Sequence, residues 1–127
     1  MKKLVEALKK NGVEVVVSEN PEEEVKKFKD AFVCEAASAA EDVGIIFFVG
    51  LENRRRVALA DHHVAIVRKE DVKEDVVSAY FHALSKGEHV FASSSPSKTA
   101  DIEGKLVYGM HGPRKFTVIL EKITEST

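Results

Sequence analysis

The chain has 127 residues, of which 44% are hydrophobic and 31% are charged, with 7 glycines and 3 prolines. These values are typical of a globular domain that builds its own core, and they exclude a disordered or fibrous protein. The formal charge of −2, from 19 Lys and Arg against 21 Asp and Glu, argues against a nucleic-acid partner, because phosphate backbones are bound by a concentrated positive surface. We predict a single domain over residues 1–127.

Three elements are predicted in the first third of the chain. Apolar residues at helical spacing, followed by Gly12, predict a short N-terminal helix. The β-branched run Val13–Val17 predicts a strand. Asn20 before Pro21 is a favoured helix start. The buried face predicted for this second helix consists of Val25, Phe28 and Phe32.

The middle of the chain carries a short helix and three strands in this interpretation. The alanine-rich stretch Cys34–Val43 predicts the helix. The apolar run Ile45–Val49 does not alternate, so it predicts a central strand covered on both faces. Shorter strands are expected at Val57–Ala60 and Val64–Val67.

A longer helix follows. Asp71 with Glu74 three positions later marks its predicted start, and Gly87 marks its end. Its predicted buried stripe consists of Val77, Tyr80, Phe81 and Leu84.

In the last third of the chain we predict a strand at His89–Ala92 and a polar loop at Ser93–Lys98. A short helix that buries Ile102 and Leu106 and a final strand at Phe116–Leu120 are expected to follow. Strands that alternate with helices favour an α/β domain whose sheet is mostly parallel and is covered by helices on both sides.

Cysteine and histidine content argues against a metal centre. Cys34 is the single cysteine, so the chain lacks the paired spacing of a zinc or iron–sulfur site. His62 and His63 are adjacent, and adjacent side chains on a strand point to opposite faces.

No segment is apolar enough to span a membrane, and Glu6 interrupts the basic N-terminus before a signal region develops. We expect a cytoplasmic protein without a structural metal or a membrane partner.

The polar stretch Ser95–Glu103 carries most of the chemical information. It is predicted to run from a strand into a helix, which is where ligands bind in open parallel sheets. The hydroxyls of Ser97 and Thr99 could cap that helix or contact a ligand. Asp101 and Glu103 would occupy the positive end of the helix dipole, so a bare phosphate site is disfavoured.

The sequence Gly109–Arg114 predicts a sharp turn before the last strand, and His111 and Arg114 could line the same cleft. The alternative is that Asp101 caps a helix and His111 binds a neighbouring loop, so that both only hold the turn together. The residues alone favour that structural alternative, because capping is far commoner than catalysis.

Taken together, the run Ser95–Glu103 and the Gly109, His111, Gly112 and Pro113 that follow it resemble the C-terminal signature of the LUD domain, the lactate-utilization protein C family. The similarity covers about Val13 to Leu120.

Upstream segments support the same resemblance. Asn53-Arg54 and His63 are similar to the family's arginine-containing strand and to its histidine-containing strand entry. Val43 departs from the family pattern, because it stands where the family tends to have threonine. A role that needs a hydroxyl at that loop is therefore not expected here.

The resemblance implies a fold and a function. The fold would be a three-layer α/β/α arrangement with a mostly parallel sheet, similar to phosphosugar isomerases and CoA transferases. The function would be that of a subunit in the use of lactate or a related 2-hydroxy acid, acting with iron–sulfur partner subunits. With one cysteine, the chain is not expected to bind a cluster of its own, and the sequence leaves any other cofactor and the oligomeric state open.

The resemblance also suggests roles for individual residues. The catalytic candidates are Asp101, Glu103 and His111. The candidates for binding a small carboxylate or a phosphorylated metabolite are Ser97, Thr99, Gly112, Arg114, Arg54 and His63. Two alternatives stay open, a stand-alone module that binds or senses a small molecule, and an enzyme similar to isomerases or transferases.

Overall fold

The structure is a computed structural model that describes residues 2–96, 98–101 and 113–122. The helices are α1 (Lys2–Lys10), α2 (Pro21–Val25), α3 (Leu51–Leu59) and α4 (Val76–Leu84), with a 3-10 turn at Lys69–Asp71. The strands are β1 (Glu14–Ser18), β2 (Phe32–Glu35), β3 (Ser38–Ala40), β4 (Ile45–Phe48), β5 (His62–Val67), β6 (Val72–Lys73), β7 (Phe91–Ser95), β8 (Lys98–Asp101) and β9 (Lys115–Glu121).

The described strands form two sheets. Sheet A has the order β1-β9-β5-β2 and is parallel throughout. Sheet B has the order β6-β3-β4-β7-β8; its main ladders are antiparallel, and β6 adds to β3 in parallel. The α/β class and the mostly parallel sheet predicted from the sequence are therefore confirmed, and sheet B was not predicted.

One face of each sheet contributes to a shared hydrophobic core. Sheet A supplies Phe116, Val118 and Leu120, and sheet B supplies Ile46, Phe48 and Phe91, all of them buried. Alpha helices α1 and α3 add the buried side chains Leu4, Leu8 and Val57.

The other face of sheet B packs against α4. Ala79 and Ala83 are fully buried there, and the Ser38 hydroxyl of β3 donates a 2.6 Å hydrogen bond to the Ala79 carbonyl. Small side chains on both elements allow the helix to approach the sheet this closely.

Several predicted elements agree with the structure. These include α1, the strands β1, β5 and β9, and the central position of β4 in sheet B. Gly12 after α1 has φ +83°, which is the left-handed conformation expected of a residue that ends a helix. No helix among the described residues is long and apolar enough to cross a membrane.

The alanine-rich stretch is not helical. Residues 32–35 form β2 and residues 38–40 form β3 instead, because the small side chains of Ala39 and Ala40 are buried against neighbouring elements. Phe32 begins β2, since α2 already ends at Val25. Tertiary packing has overridden the helix propensity of alanine here.

Two further corrections concern α3 and α4. Val57–Ala60 is not a strand, because Val57 lies in the last turn of α3 and faces the core. Helix α4 begins after Asp75, whose carboxylate accepts a hydrogen bond from the Ser78 amide. Asp71 instead lies buried before the helix, with its Oδ1 2.6 Å from Lys86 Nζ.

The buried stripe of α4 is also different from the predicted one. Val77, Phe81 and Leu84 are exposed, whereas the two alanines face the sheet. The sequence pattern identifies an apolar stripe, but it does not show which side the sheet covers.

The C-terminal prediction of a loop followed by a helix is wrong in its described part. Strand β7 continues to Ser95, and Lys98–Asp101 forms the antiparallel strand β8. Asp101 is therefore the last residue of a strand and does not lie in the first turn of a helix as predicted. The helix expected to bury Ile102 and Leu106 lies outside the described residues.

Charged side chains close the carboxyl end of sheet A. Arg68, directly after β5, places Nε 2.6 Å from Glu35 Oε1 and Nη2 2.6 Å from Glu22 Oε1, and its Nη1 is 3.7 Å from Glu121 Oε2. The Arg68 hydrogen bond lowers the pKa of Glu22. The carboxyl end of sheet A therefore carries an ion network in which Arg68 is surrounded by three glutamates of the same chain.

Replacing Ala79 with Leu should lower the free energy of unfolding by about 1–3 kcal/mol, because the larger side chain cannot fit between α4 and β3. Urea denaturation measures this effect. Val77→Leu is the matched control on the exposed side of the same helix and should change stability by less than about 0.5 kcal/mol. Equal effects of the two substitutions would contradict the described packing of α4.

Replacing Arg68 with Met should destabilise the protein at neutral pH, because three carboxylates then lie together without their cation. The wild-type network is favourable above the ordinary Glu pKa of 4.5 and is lost as the pH falls through the lowered value of Glu22. The difference in stability between wild type and variant should therefore shrink in acid. Denaturation at several pH values tests this, with Lys26→Met, which removes the exposed pair with Glu23, as control.

Candidate functional site

A cavity opens between α4 and the β7–β8 end of sheet B, and we call it the α4 cavity. Its volume is about 630 Å³, within the range of about 300–1,000 Å³ that is typical of small-molecule sites. Its sheet wall consists of Ile45, Phe47 and Ala92. Its helix wall consists of Val76, Val77, Tyr80 and Phe81.

The polar end of the α4 cavity lies at the β7–β8 hairpin. Ser94, Lys98 and Thr99 line it. Lys98 is exposed and makes no ion pair with the described residues. The Thr99 hydroxyl lies 3.0 Å from the hydroxyl of Ser93, which is its partner across the ladder. The cavity is thus apolar along most of its length and carries its cation at one end.

A second group of side chains lies on the opposite face of sheet B, between the two sheets. Phe48 packs against Phe91 with ring centroids 5.2 Å apart and against His63 at 4.9 Å. Arg54 of α3 is 5% exposed, and its guanidinium carbon lies 5.9 Å from the Phe91 ring centroid. We call these four residues the aromatic cluster.

His63 is fully buried in the aromatic cluster and contacts Cys34. Its Nε2 lies 2.9 Å from Cys34 Sγ, and its Nδ1 has no hydrogen-bond partner among the described residues. Burial lowers the pKa of His63 to about 4 and raises the pKa of the Cys34 thiol to about 12. The pair is therefore neutral at pH 7, which disfavours a thiolate nucleophile.

His62 faces the other side of sheet A, as adjacent positions on a strand require. Its Nε2 lies 2.8 Å from the Thr117 hydroxyl, which donates a 3.3 Å hydrogen bond to Glu14. His62 and His63 therefore cannot bind one metal together. Within the described part of the chain, no group of three or more His, Cys, Asp or Glu side chains could hold a metal ion.

Comparison with known protein families identifies the domain. The LUD domain profile matches residues 26–120. This chain belongs to the LUD domain family. The match confirms the resemblance drawn from the two-part motif near the C-terminus.

Three bacterial relatives of this LUD domain carry the name Lactate utilization protein C. The protein of Deinococcus radiodurans is 32% identical over 97 residues, which are 72% of this chain and 46% of that protein. The protein of Geobacillus sp. strain WCH70 is 34% identical over 64% of this chain and 37% of its own length. Lactate utilization protein C 1 of Bacillus mycoides is 36% identical over 60% of this chain and 36% of its own length. The chain spans less than half the length of these relatives.

A solved structure has the same fold. The crystal structure of a DUF162 family protein from Deinococcus radiodurans matches this LUD domain with a TM-score of 0.68, and the match covers 94% of each chain. The sequence identity is 16%, so this likeness establishes the fold alone.

The structure separates the site residues predicted from the sequence of this LUD domain. Thr99 borders the α4 cavity, although its hydroxyl points to Ser93. Arg54 and His63 lie in the aromatic cluster on the core side of sheet B. Arg54 lies on α3 and not on a strand. Arg114 is exposed at the bend before β9.

The remaining predicted residues are only partly described. Asp101 ends β8 at the register position opposite Phe91, the ring beside Arg54. Ser97, Glu103, His111 and Gly112 lie outside the described residues, so their assignment to the site stays a prediction.

Sequence reasoning missed two features of the site. Ser94 and Lys98 line the α4 cavity but were assigned to a loop, and Cys34 was not linked to His63. A strand pattern in the sequence could have shown that Ser94 lies on a strand. Along such a strand Phe91 and Ser93 face one side, and Ala92 and Ser94 face the other. No signal in the sequence pairs Cys34 with His63, because they meet only when β2 pairs with β5.

The buried imidazole should make stability depend on pH. The folded protein keeps His63 neutral down to about pH 4, whereas the unfolded chain takes up a proton near the ordinary value of 6.5. The free energy of unfolding should therefore fall as the pH drops between these values, by on the order of 3 kcal/mol. His63→Phe should remove this component, and urea denaturation at pH 7 and pH 4 measures it.

His62→Phe is the control for that comparison. Burial also lowers the pKa of His62, but this imidazole is less buried, so its substitution should have a smaller effect. Equal pH dependence in wild type and His63→Phe would contradict a neutral buried His63.

Proposed function

We propose that this LUD domain takes part in the use of lactate or a related 2-hydroxy acid, together with partner subunits that carry iron–sulfur clusters. The observation that carries the proposal is the 32–36% identity to three proteins named Lactate utilization protein C. Because the chain spans less than half of each relative, we assign it a contribution to that activity and not the whole reaction.

The environment of Cys34 supports a dependence on partners for redox chemistry. A cluster is held by several thiolates, and this chain has one cysteine. That cysteine is 8% exposed and lies against His63, and burial raises the pKa of its thiol. Loss of its proton, which a metal ligand requires, is therefore disfavoured.

Arg114, which directly follows the motif, supports a role in carboxylate binding. Arg114 is exposed beside the start of β9 and makes no ion pair with the described residues. An arginine can bind a carboxylate through two parallel hydrogen bonds. Together with Ser97, Gly112 and the catalytic candidates Asp101, Glu103 and His111, it forms the part of the motif that we propose acts on the substrate.

A second candidate is a stand-alone module that binds a small molecule. The α4 cavity favours it, because the cavity is large, mostly apolar and equipped with a cation at one end. This candidate predicts ligand binding by the isolated domain, whereas the first predicts activity only in the presence of partners.

Deletion of the gene segment that encodes this domain in its native host tests the proposed role. Growth on L-lactate or another 2-hydroxy acid should be lost, because the assembly that oxidises it lacks a component. Growth on pyruvate, which enters after the oxidation, should be retained. A plasmid that carries the wild-type gene should restore growth on the hydroxy acid.

Two controls make the growth test specific. Arg114→Gln should fail to restore growth, whereas Arg55→Gln, which changes an exposed arginine on α3, should restore it. Both variants should be present at wild-type levels. Unchanged growth of the deletion strain on every 2-hydroxy acid tested would refute the role.

A further inference from the structure

We propose that the α4 cavity binds a monocarboxylate with an apolar side chain, such as a medium-chain fatty or 2-hydroxy fatty acid. The carboxylate lies beside Lys98, and the chain lies along α4. The inference concerns binding by this domain alone and does not depend on the role in lactate use.

The helix wall of the cavity supports an apolar ligand. Val77 and Phe81 are 64% and 63% exposed, although both are large and apolar. They stand one helical turn apart and line a concave surface, and Tyr80 beside them contacts Phe47 of the sheet. Exposed apolar side chains gathered around a cavity mark binding surfaces more often than those scattered singly.

The sheet wall provides the space. Ala92 of β7 faces α4, and its small side chain leaves room between the helix and the sheet. Ile45 and Phe47 continue the wall with apolar groups. An acyl chain would replace water along this surface, and each buried methylene would add to affinity.

The polar end determines the charge of the ligand. Lys98 supplies one cation that is not paired with any described residue, and Ser94 adds a hydroxyl group next to it. A single ammonium group matches a carboxylate, which carries one negative charge. Phosphate groups are usually held by several cations, and Lys98 is the one cation among the residues that line the cavity.

The arrangement also disfavours lactate itself as the occupant. Lactate carries one methyl group beside its carboxylate and hydroxyl, so it would leave the wall of Phe47, Val76 and Phe81 uncovered. The cavity volume of about 630 Å³ accommodates a much longer chain. Affinity should therefore rise with chain length.

Calorimetric titration of the purified chain with butyrate, hexanoate and octanoate tests the proposal. The association constant should rise roughly threefold for each added methylene, and 2-hydroxyoctanoate should bind far more tightly than L-lactate. Octanamide, which lacks the charge, reports on the apolar wall alone.

Two variants distinguish the contribution of the Lys98 charge from that of the apolar wall. Lys98→Met should weaken octanoate binding roughly five- to tenfold, because it removes a charge-assisted contact, and should leave octanamide binding unchanged. Phe81→Ser should weaken both ligands by similar factors. Both side chains are exposed, so both variants should fold, and thermal denaturation checks this.

Matched controls change the same residue types elsewhere. Lys29→Met alters an exposed lysine, and Leu59→Ser alters an apolar side chain that is 87% exposed on α3. Neither lines the α4 cavity, and neither should affect binding.

Three results would overturn the proposal. These are no binding of octanoate to wild-type protein, equal affinity for L-lactate and 2-hydroxyoctanoate, and an equal loss of octanoate binding in Lys98→Met and Lys29→Met. A dimer in sedimentation that Phe81→Ser dissociates, combined with absent octanoate binding, would assign this surface to a second copy of the chain. The growth test above is unaffected by these outcomes, so the two proposals can fail separately.

Discussion

The packing of the two sheets against each other is the constraint on which the rest of the structure depends. Rings from sheet B, Phe48 and Phe91, meet His63 and Phe116 of sheet A, with His63 4.9 Å from Phe48 and 5.2 Å from Phe116 between ring centroids. Close packing of this kind tolerates little displacement of any ring. It covers the face of sheet B that carries Phe48 and Phe91, and α4 and the cavity lie on the other face.

His63 is the unusual member of this core. A buried polar group costs free energy unless it is hydrogen-bonded, and His63 has its Nε2 beside Cys34 Sγ while Nδ1 lacks a partner among the described residues. The surrounding rings hold the imidazole neutral at pH 7. Its buried position is that of a residue that fills the core. Burial also raises the pKa of the Cys34 thiol to about 12, so catalysis by a thiolate at Cys34 is disfavoured.

The β7–β8 hairpin connects the core to the cavity. Side chains alternate along a strand, so Phe91 and Ser93 face the shared core while Ala92 and Ser94 face α4. The two-part motif that identifies the family enters through this hairpin, since Lys98–Asp101 is β8. Thr99 pairs with Ser93 across this hairpin, and its hydroxyl lies 3.0 Å from the Ser93 hydroxyl. The Thr99 side chain is therefore on the core side of sheet B, where Arg54 lies beside Phe91.

The sequence by itself determined the α/β class, the family and the strands with long β-branched runs, such as β1 and β5, because these depend on local composition and on a motif with fixed spacing. Only the tertiary structure decided that the alanine-rich stretch contributes to strands at Phe32–Glu35 and Ser38–Ala40. It also decided that Ala79 and Ala83, not Val77 and Phe81, are the buried residues of α4. Small side chains suit both a helix and a closely packed strand. The choice depends on what packs against them, and those partners lie far away along the chain.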